Sequence, residues 1–391
     1  MWVAREAEAL LRETASTFPV VVLTGPRQVG KTSVVERAFP GWRTVSLDLA
    51  SLAELAERQP EAFLAAYPPP LIVDEVQYAP GLFRHLKRVV DARRGETGLF
   101  VLTGSQNFAL MREVADSLAG RAAVIPFLGF SGAEWRAAFP AESWRDFLWR
   151  GAYPGLWVGP LRRPNRDLWY QGYVATYLER DVRNLMNVGS LRDFERFLRA
   201  AAARCGQLLN VSELGRDVGI SATTARQWLS VLQASNLVLL LEPYHVSLGK
   251  RLVKSPKLYF TDTGLAAYLM GFQTADDLGS SRHAGALWET HVVGQWHRWR
   301  SWHAPAAGLW FWQDRSGAEV DLLIERNQRL TAVECKLAEH PDERDLRGLR
   351  ALRAFYGAEV AEDAFVATPT DVSFPLGDGV EVRPGWTTWA L

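Results

Sequence analysis

Two patterns of apolar and polar positions alternate along the first third of the chain: short apolar runs, and longer segments with apolar residues at helical spacing. Short, uninterrupted apolar runs at 20–23, 71–73 and 99–102 are typical of strands that are buried on both faces. The segments 52–66 and 82–94 between them carry apolar residues at helical spacing. Strands that alternate with helices in this way predict an α/β domain with a doubly wound parallel sheet, which we place at residues 1–135.

Helical patterns dominate the next part of the chain. The segments 143–148, 168–184 and 191–203 are each predicted to be helices, and a segment rich in proline and glycine, 153–164, separates the first two. A helical bundle that follows an α/β core typically covers it. We therefore predict a helical lid at residues 136–204.

Two short helices with a tight turn are predicted next. Apolar residues share one face of 211–218 and again of 222–233, and Gly219 ends the first helix. This is a helix-turn-helix pattern, with Ser212 as a first-turn cap. Two apolar segments, 237–242 and 258–261, are predicted to form a two-stranded wing. We therefore predict a winged helix at residues 205–262.

The C-terminal third returns to mixed α/β patterning. An amphipathic helix is predicted around 288–296, and three strands are predicted at 309–312, 319–324 and 330–336. We assign residues 263–391 to a second, smaller α/β domain.

Candidate chemistry begins directly after the first apolar run. Residues 25–32 fit the pattern G-x-x-x-x-G-K-[ST] at every specified position. Between a strand and a helix, such a loop turns backbone N–H groups and a helix N-terminus towards a triphosphate. Lys31 would reach the β and γ phosphates, and the Thr32 hydroxyl would hold Mg²⁺. The predicted ATP-binding residues are Gly25, Pro26, Arg27, Gln28, Val29, Gly30, Lys31, Thr32 and Ser33.

A second motif ends the apolar run at 71–73. Asp74 and Glu75 follow it, where ligands bind to open α/β sheets. Asp74 would hold the Mg²⁺ through water, and Glu75 would activate the attacking water. Polar residues also follow the strand at 99–102. Ser105 is our predicted γ-phosphate sensor, with Gln106 and Asn107 left open as alternatives.

Three arginines are further candidates for contacts with phosphate. Arg121 is predicted to lie at the active edge of the sheet, and Arg180 and Arg183 share one face of a predicted helix. Either of the latter would act as a sensor or finger arginine. Ordinary surface positions or ion pairs with neighbouring acidic residues are equally open. An arginine supplied by another copy would imply a homo-oligomer, which the sequence does not decide.

Several segments together resemble a known family. The chain resembles a prokaryotic AAA-like ATPase family in 25–32, 71–75, 102–105 and 117–121, and the stretch 177–183 is similar to a signature of that family. Members of this family carry a restriction-endonuclease-like C-terminal domain. The resemblance thus implies a P-loop ATPase fold with that domain at the C-terminus.

The C-terminal third contains a matching set of residues. Asp321, followed by Glu334-x-Lys336, fits the D-x(n)-E-x-K core of restriction-endonuclease-like folds, and Glu289 fits the additional acidic position. Asp321, Glu334 and Glu289 would share a divalent metal, and Lys336 would polarise water or phosphate. The pattern is short, so a plain ion pair between Glu334 and Lys336 stays open, and with it a domain that does not cut.

Composition narrows the partners and the compartment. Lys plus Arg and Asp plus Glu are both 44, so DNA would have to bind through a local basic surface. Two cysteines favour a reducing compartment, and no stretch is predicted to span a membrane, so we expect a cytoplasmic protein. A protein partner in place of DNA stays open for the winged helix. The predicted DNA contacts are Thr223, Thr224, Arg226, Gln227, Lys250, Arg251 and Lys254.

Overall fold

Two sheets organise the chain, a five-stranded one near the N-terminus and a nine-stranded one towards the C-terminus. The computed structural model describes residues 2–105, 113–114, 116–158, 165–177, 191–244, 254–357 and 360–388. The first compact unit comprises Met1–Phe130, Tyr153–Gly159 and Ala234–Asn236. The second comprises Ser131–Ala152, Pro160–Gln233 and Leu237–Leu391.

The sheet of the first unit is entirely parallel. Its spatial order is β2-β3-β4-β1-β5, so the chain crosses over between most neighbouring strands. All residues of β1, β3 and β4 are buried, as their apolar runs predict. The predicted parallel α/β sheet is therefore confirmed. The strands are β1 (Val20–Thr24), β2 (Arg43–Ser46), β3 (Leu71–Asp74), β4 (Phe100–Gly104) and β5 (Ala122–Pro126).

Helices follow the strands of this unit and supply the rest of its core. The structure divides the single helix predicted at 52–66 in two, because Pro60 lacks an N–H and begins a new helix. The apolar faces of these helices pack on β1, β3 and β4. The helices are α1 (Ala7–Thr17), α2 (Lys31–Ala38), α3 (Ala50–Arg58), α4 (Pro60–Ala66) and α5 (Leu82–Ala92).

Ten further helices lie in the described residues beyond 130. They include the segments predicted as a lid and as a helix-turn-helix. Among the described helices, none combines the length and the apolar composition that a membrane span requires. They are α6 (Gly132–Ala138), α7 (Trp144–Arg150), α8 (Arg166–Tyr177), α9 (Leu191–Ala202), α10 (Val211–Val218), α11 (Ala222–Ala234), α12 (Thr263–Met270), α13 (Ala275–Gly279), α14 (Ala284–His303) and α15 (Arg347–Tyr356).

The turn between α10 and α11 has well-defined ends. The side chain of Asn210 accepts a hydrogen bond from the Glu213 N–H at 3.1 Å and caps α10, so Asn210, and not Ser212, is the cap. Gly219 ends α10 with a left-handed φ of 87°. The Ser221 hydroxyl then accepts from the Thr224 N–H at 3.0 Å, as a cap of α11 does.

The nine-stranded sheet joins segments that the sequence assigns to separate domains. The two predicted wing strands form an antiparallel pair, β7 with β8, and β7 also pairs in parallel with β9. The strands predicted at 309–312, 319–324 and 330–336 correspond to β9, β10 and β11, and β10 pairs antiparallel with each of the other two. The four-domain division stays a prediction. The strands are β6 (Gln207–Leu208), β7 (Val238–Pro243), β8 (Lys257–Phe260), β9 (Gly308–Gln313), β10 (Glu319–Arg326), β11 (Arg329–Cys335), β12 (Asp363–Thr368), β13 (Phe374–Gly377) and β14 (Val380–Pro384).

Candidate nucleotide site and carboxylate cluster

The glycine loop leaves the C-terminal end of β1 and leads directly into α2. Gly25 has a φ of 151°, and a Cβ atom on it would lie 1.9 Å from the Phe127 carbonyl oxygen, so only glycine fits. Gly30 is left-handed with a φ of 91°, and α2 begins at the next residue, Lys31. The sequence thus folds into a loop whose backbone N–H groups and helix N-terminus can receive phosphate.

The Lys31 side chain is hydrogen-bonded to the backbone of its own loop. Its ammonium donates to the carbonyl oxygens of Gly25 at 3.0 Å and Pro26 at 2.8 Å, and the residue is 6% exposed. The loop carbonyls thus orient the ammonium at the mouth of the loop. A phosphate oxygen offers a charged acceptor in exchange for these neutral ones.

Asp74, at the end of β3, meets the loop. The Thr32 hydroxyl donates to Asp74 Oδ1 at 3.0 Å, and the Thr103 hydroxyl donates to the same oxygen. Ser46 at the end of β2 donates to Oδ2 at 3.4 Å. Three strands and the loop therefore fix one carboxylate beside the threonine hydroxyl. This hydroxyl and carboxylate are the oxygen ligands that Mg²⁺ takes in nucleotide sites.

Glu75 adopts a backbone conformation that is rare for residues with a side chain. Its φ is 55° and its ψ is 44°, in the left-handed region. Such a conformation costs on the order of 1–3 kcal/mol and clusters at functional sites. Its carboxylate accepts from Gln77 Nε2 and from the Ser105 hydroxyl at 3.2 Å. The structure therefore brings Glu75 and the predicted sensor Ser105 together.

Arg5 ties the N-terminal segment to the loop, a role that the sequence did not indicate. The residue is 5% exposed, and it donates to the carbonyl oxygens of Val29 at 3.2 Å, Leu128 at 2.9 Å and Gly129 at 2.8 Å. Its guanidinium also lies 4.3 Å from the centre of the Phe127 ring. Arg5 thus links the glycine loop to the segment that follows β5.

The prediction for Arg121 is contradicted by its place in the sheet. Val20 at the start of β1 pairs with Ala122, so Arg121 lies at the edge opposite to the glycine loop. There its guanidinium forms an ion pair with Asp91 at 2.6 Å. The predictions for Gln106, Asn107, Arg180 and Arg183 lie outside the described residues.

The second unit contains a cluster of carboxylates around one lysine. The Lys257 ammonium on β8 lies 2.8 Å from Glu289 Oε1 on α14, donates to Glu319 Oε1, and lies 3.9 Å from Asp321 Oδ1. Glu289, Glu319 and Asp321 place one oxygen each within 4.8 Å of one another. Lys257 is therefore buried inside the second unit, although Lys254, a predicted DNA contact three residues earlier, is exposed. Glu319 was not predicted at all.

Burial and crowding set the protonation of this cluster. Burial by itself lowers the pKa of Lys257, but the carboxylates of Glu289, Asp321 and Glu319 outweigh it and raise this pKa above its ordinary value. One ammonium cannot balance three carboxylates. Burial, with the charge of Asp321, therefore raises the pKa of Glu289 to about 7, although Lys257 lowers it. Burial likewise raises the pKa of Glu319.

The predicted metal set of Glu289, Asp321 and Glu334 differs from the group that the structure brings together. Glu334 Oε2 lies 3.7 Å from the Lys336 ammonium, as the ion-pair alternative predicts. Its Oε1 is buried without a hydrogen-bond partner among the described residues, and burial raises its pKa. Glu319 takes the place predicted for Glu334 in the group of three.

An open cleft lies beside this cluster. Its volume is about 410 Å³, and basic side chains, Lys336, Arg344 and Arg347, line it together with Asp321 and Glu334. Gly348 at the start of α15 lets the helix approach closely, because a Cβ atom on it would lie 1.7 Å from the Glu319 carbonyl oxygen. The cleft therefore presents both signs of charge.

Most of the predicted DNA contacts on α11 face solvent. Thr223, Arg226 and Gln227 are exposed. Thr224 is half-buried, and its hydroxyl lies 2.8 Å from the Ser221 hydroxyl. Lys254 is exposed, and Lys250 and Arg251 lie outside the described residues.

Family models match three separate parts of the chain. Residues 17–135 match the family model described as AAA domain. Residues 141–276 and 284–387 match two models, each described as a domain of unknown function, DUF8612 and DUF4143.

Two full-length relatives are similar to almost the whole chain. Uncharacterized protein Rv2008c of Mycobacterium tuberculosis is 32% identical over 386 residues, which cover 97% of this chain and 83% of that protein. Uncharacterized protein Mb2031c of Mycobacterium bovis gives the same values. Among solved structures, a Walker-type ATPase of Pyrococcus abyssi is 16% identical with a TM-score of 0.45, covering 68% of this chain and 96% of that one.

Proposed function

The chain belongs to the family of the mycobacterial proteins Rv2008c and Mb2031c, and because its N-terminal unit matches an AAA domain, we propose that it is an ATPase that binds and hydrolyses Mg²⁺-ATP. The contact that carries this proposal is the 3.0 Å hydrogen bond from Thr32 to Asp74. It joins a phosphate loop to an acidic strand end, which is how P-loop ATPases bind the metal of the nucleotide.

Each residue of the site has a distinct task in this proposal. The loop N–H groups and Lys31 hold the β and γ phosphates, and Thr32 and Asp74 hold Mg²⁺. Glu75 accepts a proton from the attacking water, and Ser105, within hydrogen-bond distance of Glu75, senses the γ-phosphate. Mg²⁺ supplies the charge that neutralises the phosphate oxygens. The donor set of one hydroxyl and one carboxylate fits this metal.

Replacement of Lys31 by alanine is expected to weaken ATP binding by about 100-fold or more, since it removes the charge-assisted bonds to two phosphates. The measurement is a calorimetric titration of the full chain with a non-hydrolysable ATP analogue and Mg²⁺. Arg37→Ala on the exposed face of the same helix is the control and should bind as the wild type does. Equal affinity of Lys31→Ala and wild type would remove the nucleotide site from this proposal.

We further propose that nucleotide state controls engagement of DNA through a winged helix, and that the C-terminal fold is restriction-endonuclease-like but does not cut. Thr223, Arg226 and Gln227 lie on α11, the second helix of the helix-turn-helix pattern. Their exposed side chains support a contact with a groove of DNA. The acidic residues Glu289 and Asp321, which a nuclease would give to a metal, are instead engaged with Lys257. The alternative is that α11 binds a protein partner in place of DNA.

The DNA proposal predicts binding that weakens steeply with salt, because Arg226 replaces a phosphate counterion. In a fluorescence titration of duplex DNA, Arg226→Ala should reduce the slope of log K against log[salt] by about 1. Arg12→Ala, an exposed arginine on α1, is the control. If the protein does not bind duplex DNA at low salt, the DNA proposal fails and a protein partner for α11 is favoured. Plasmid nicking in the presence of Mn²⁺ would contradict the proposal that the C-terminal fold does not cut DNA.

A further inference from the structure

The ammonium of Lys257 occupies the centre of the carboxylate cluster. It lies 2.8 Å from Glu289 Oε1, donates to Glu319 Oε1, and lies 3.9 Å from Asp321 Oδ1. Only 3% of the lysine side chain is exposed. One carboxylate oxygen each of Glu289, Glu319 and Asp321 lies within 4.8 Å of the other two. Oxygens at such separations can bind a divalent cation in proteins. Here a side chain of the same protein provides the positive charge.

Hydrogen bonds from surrounding groups hold the carboxylates in place around this charge. The Tyr259 hydroxyl donates to Glu289 Oε1 at 2.6 Å, and Gln313 Nε2 donates to Glu319 Oε2 at 2.6 Å. The Cys335 N–H donates to Asp321 Oδ2 at 2.8 Å. The pocket is therefore built, with each carboxylate fixed by a neighbour other than the lysine.

Lysine reaches this point because of the sheet topology. Lys257 lies on β8, and the spatial order of the neighbouring strands is β9-β7-β8. The lysine ammonium lies 5.5 Å from the centre of the Phe311 ring on β9. A lysine is almost never buried unless it is paired, and removal of one member of a buried pair leaves the other charges uncompensated. The strand pairing thus places a permanent cation where acidic side chains converge.

A divalent metal does not fit the cluster in this state. Metal at the three oxygens would lie beside the Lys257 ammonium, which is 2.8 Å from Glu289 Oε1, and like charges at such a distance repel strongly inside a protein. We propose that Lys257 is the resident cation of this cluster, and that removal of its ammonium turns Glu289, Glu319 and Asp321 into a divalent-metal site. This inference does not depend on the ATPase activity of the other unit.

The test compares metal binding by the full, nucleotide-free chain and three lysine variants. Mn²⁺ alone is titrated, and free Mn²⁺ is followed by electron paramagnetic resonance. Lys257→Met should bind one Mn²⁺ more than the wild type, with an affinity about tenfold or more above any wild-type binding at the cluster. Lys254→Met, at an exposed position three residues earlier, and Lys257→Arg, which keeps the cation, should behave as the wild type.

Two further comparisons make the assignment specific. Addition of Asp321→Asn to Lys257→Met should abolish the extra site, and EDTA should lower the unfolding temperature of Lys257→Met but not of the wild type. Weak Mn²⁺ binding at Thr32 and Asp74 is common to all variants and cancels. If Lys257→Met folds only when Mn²⁺ is present, the metal replaces the ammonium as proposed.

A comparison of the wild type with Asp321→Asn, both of which keep Lys257, can overturn the inference whether or not Lys257→Met folds. Wild type and Asp321→Asn should give the same Mn²⁺ isotherm, because the cluster already holds its cation. A Mn²⁺ ion that the wild type binds and Asp321→Asn loses would show that the metal and Lys257 coexist. A folded Lys257→Met that gains no Mn²⁺ would equally contradict the proposal.

Discussion

Replacement of Glu75 by glutamine is expected to abolish ATP turnover while ATP remains bound. Glutamine preserves the size of the side chain and its reach to Ser105, but an amide does not accept the proton of the attacking water. We expect the rate of hydrolysis to fall by about 10²–10⁴-fold. Turnover is measured as steady-state release of inorganic phosphate, and retained binding is measured by calorimetry with ATP and Mg²⁺.

A matched substitution separates this effect from a general loss of acidic charge. Glu61 lies on α4 and forms an exposed ion pair with Arg88, so Glu61→Gln removes the same charge away from the loop. It should hydrolyse ATP as the wild type does. Unchanged turnover in Glu75→Gln would mean that another group activates the water.

Replacement of Arg5 by alanine should destabilise the N-terminal unit and weaken its nucleotide site. The change removes the guanidinium donor from the buried carbonyl oxygens of Val29 and Leu128 and from the half-buried carbonyl oxygen of Gly129. A buried acceptor that loses its donor costs about 1–3 kcal/mol. We expect the free energy of unfolding of this unit to fall by about 3–5 kcal/mol, summed over these acceptors. The measurement is urea denaturation, followed through the unfolding transition that moves to higher urea when the ATP analogue is bound.

Arg37 provides the control for Arg5. Its guanidinium lies 4.8 Å from the centre of the Trp2 ring, at an exposed position. Arg37→Ala removes the same side chain from the surface of the same unit and should cost about 1 kcal/mol or less. Equal losses in the two variants would show that the hydrogen bonds of Arg5 to the loop contribute little.

The structure brings together the residues that the sequence assigns to the nucleotide site and that lie in or directly after local motifs. Glycines at the required positions, Lys31 and Thr32 form one local motif, and Asp74 follows a buried strand, so strand order alone brings them together. Such features depend on neighbours along the chain, which is why pattern reasoning finds them.

Residues whose role depends on distant strands were missed or misplaced. Arg121 was predicted at the active edge of the sheet, but the register of β5 against β1 puts it at the opposite edge. Lys257 lies three residues after Lys254, a predicted DNA contact, but it is buried in the sheet that the parallel pairing of β7 with β9 extends. Arg5 offers no motif, because its three acceptors become neighbours only in the folded unit.

Hydrolysis of ATP at the loop formed by residues 25–32 is the central activity proposed for this protein. The measurement that tests it most directly is steady-state phosphate release from Mg²⁺-ATP by the full-length wild type, Lys31→Ala and Glu75→Gln at saturating nucleotide. We predict turnover in the wild type, loss of turnover with loss of binding in Lys31→Ala, and loss of turnover with binding intact in Glu75→Gln. Phosphate release that is the same in all three proteins would contradict the account.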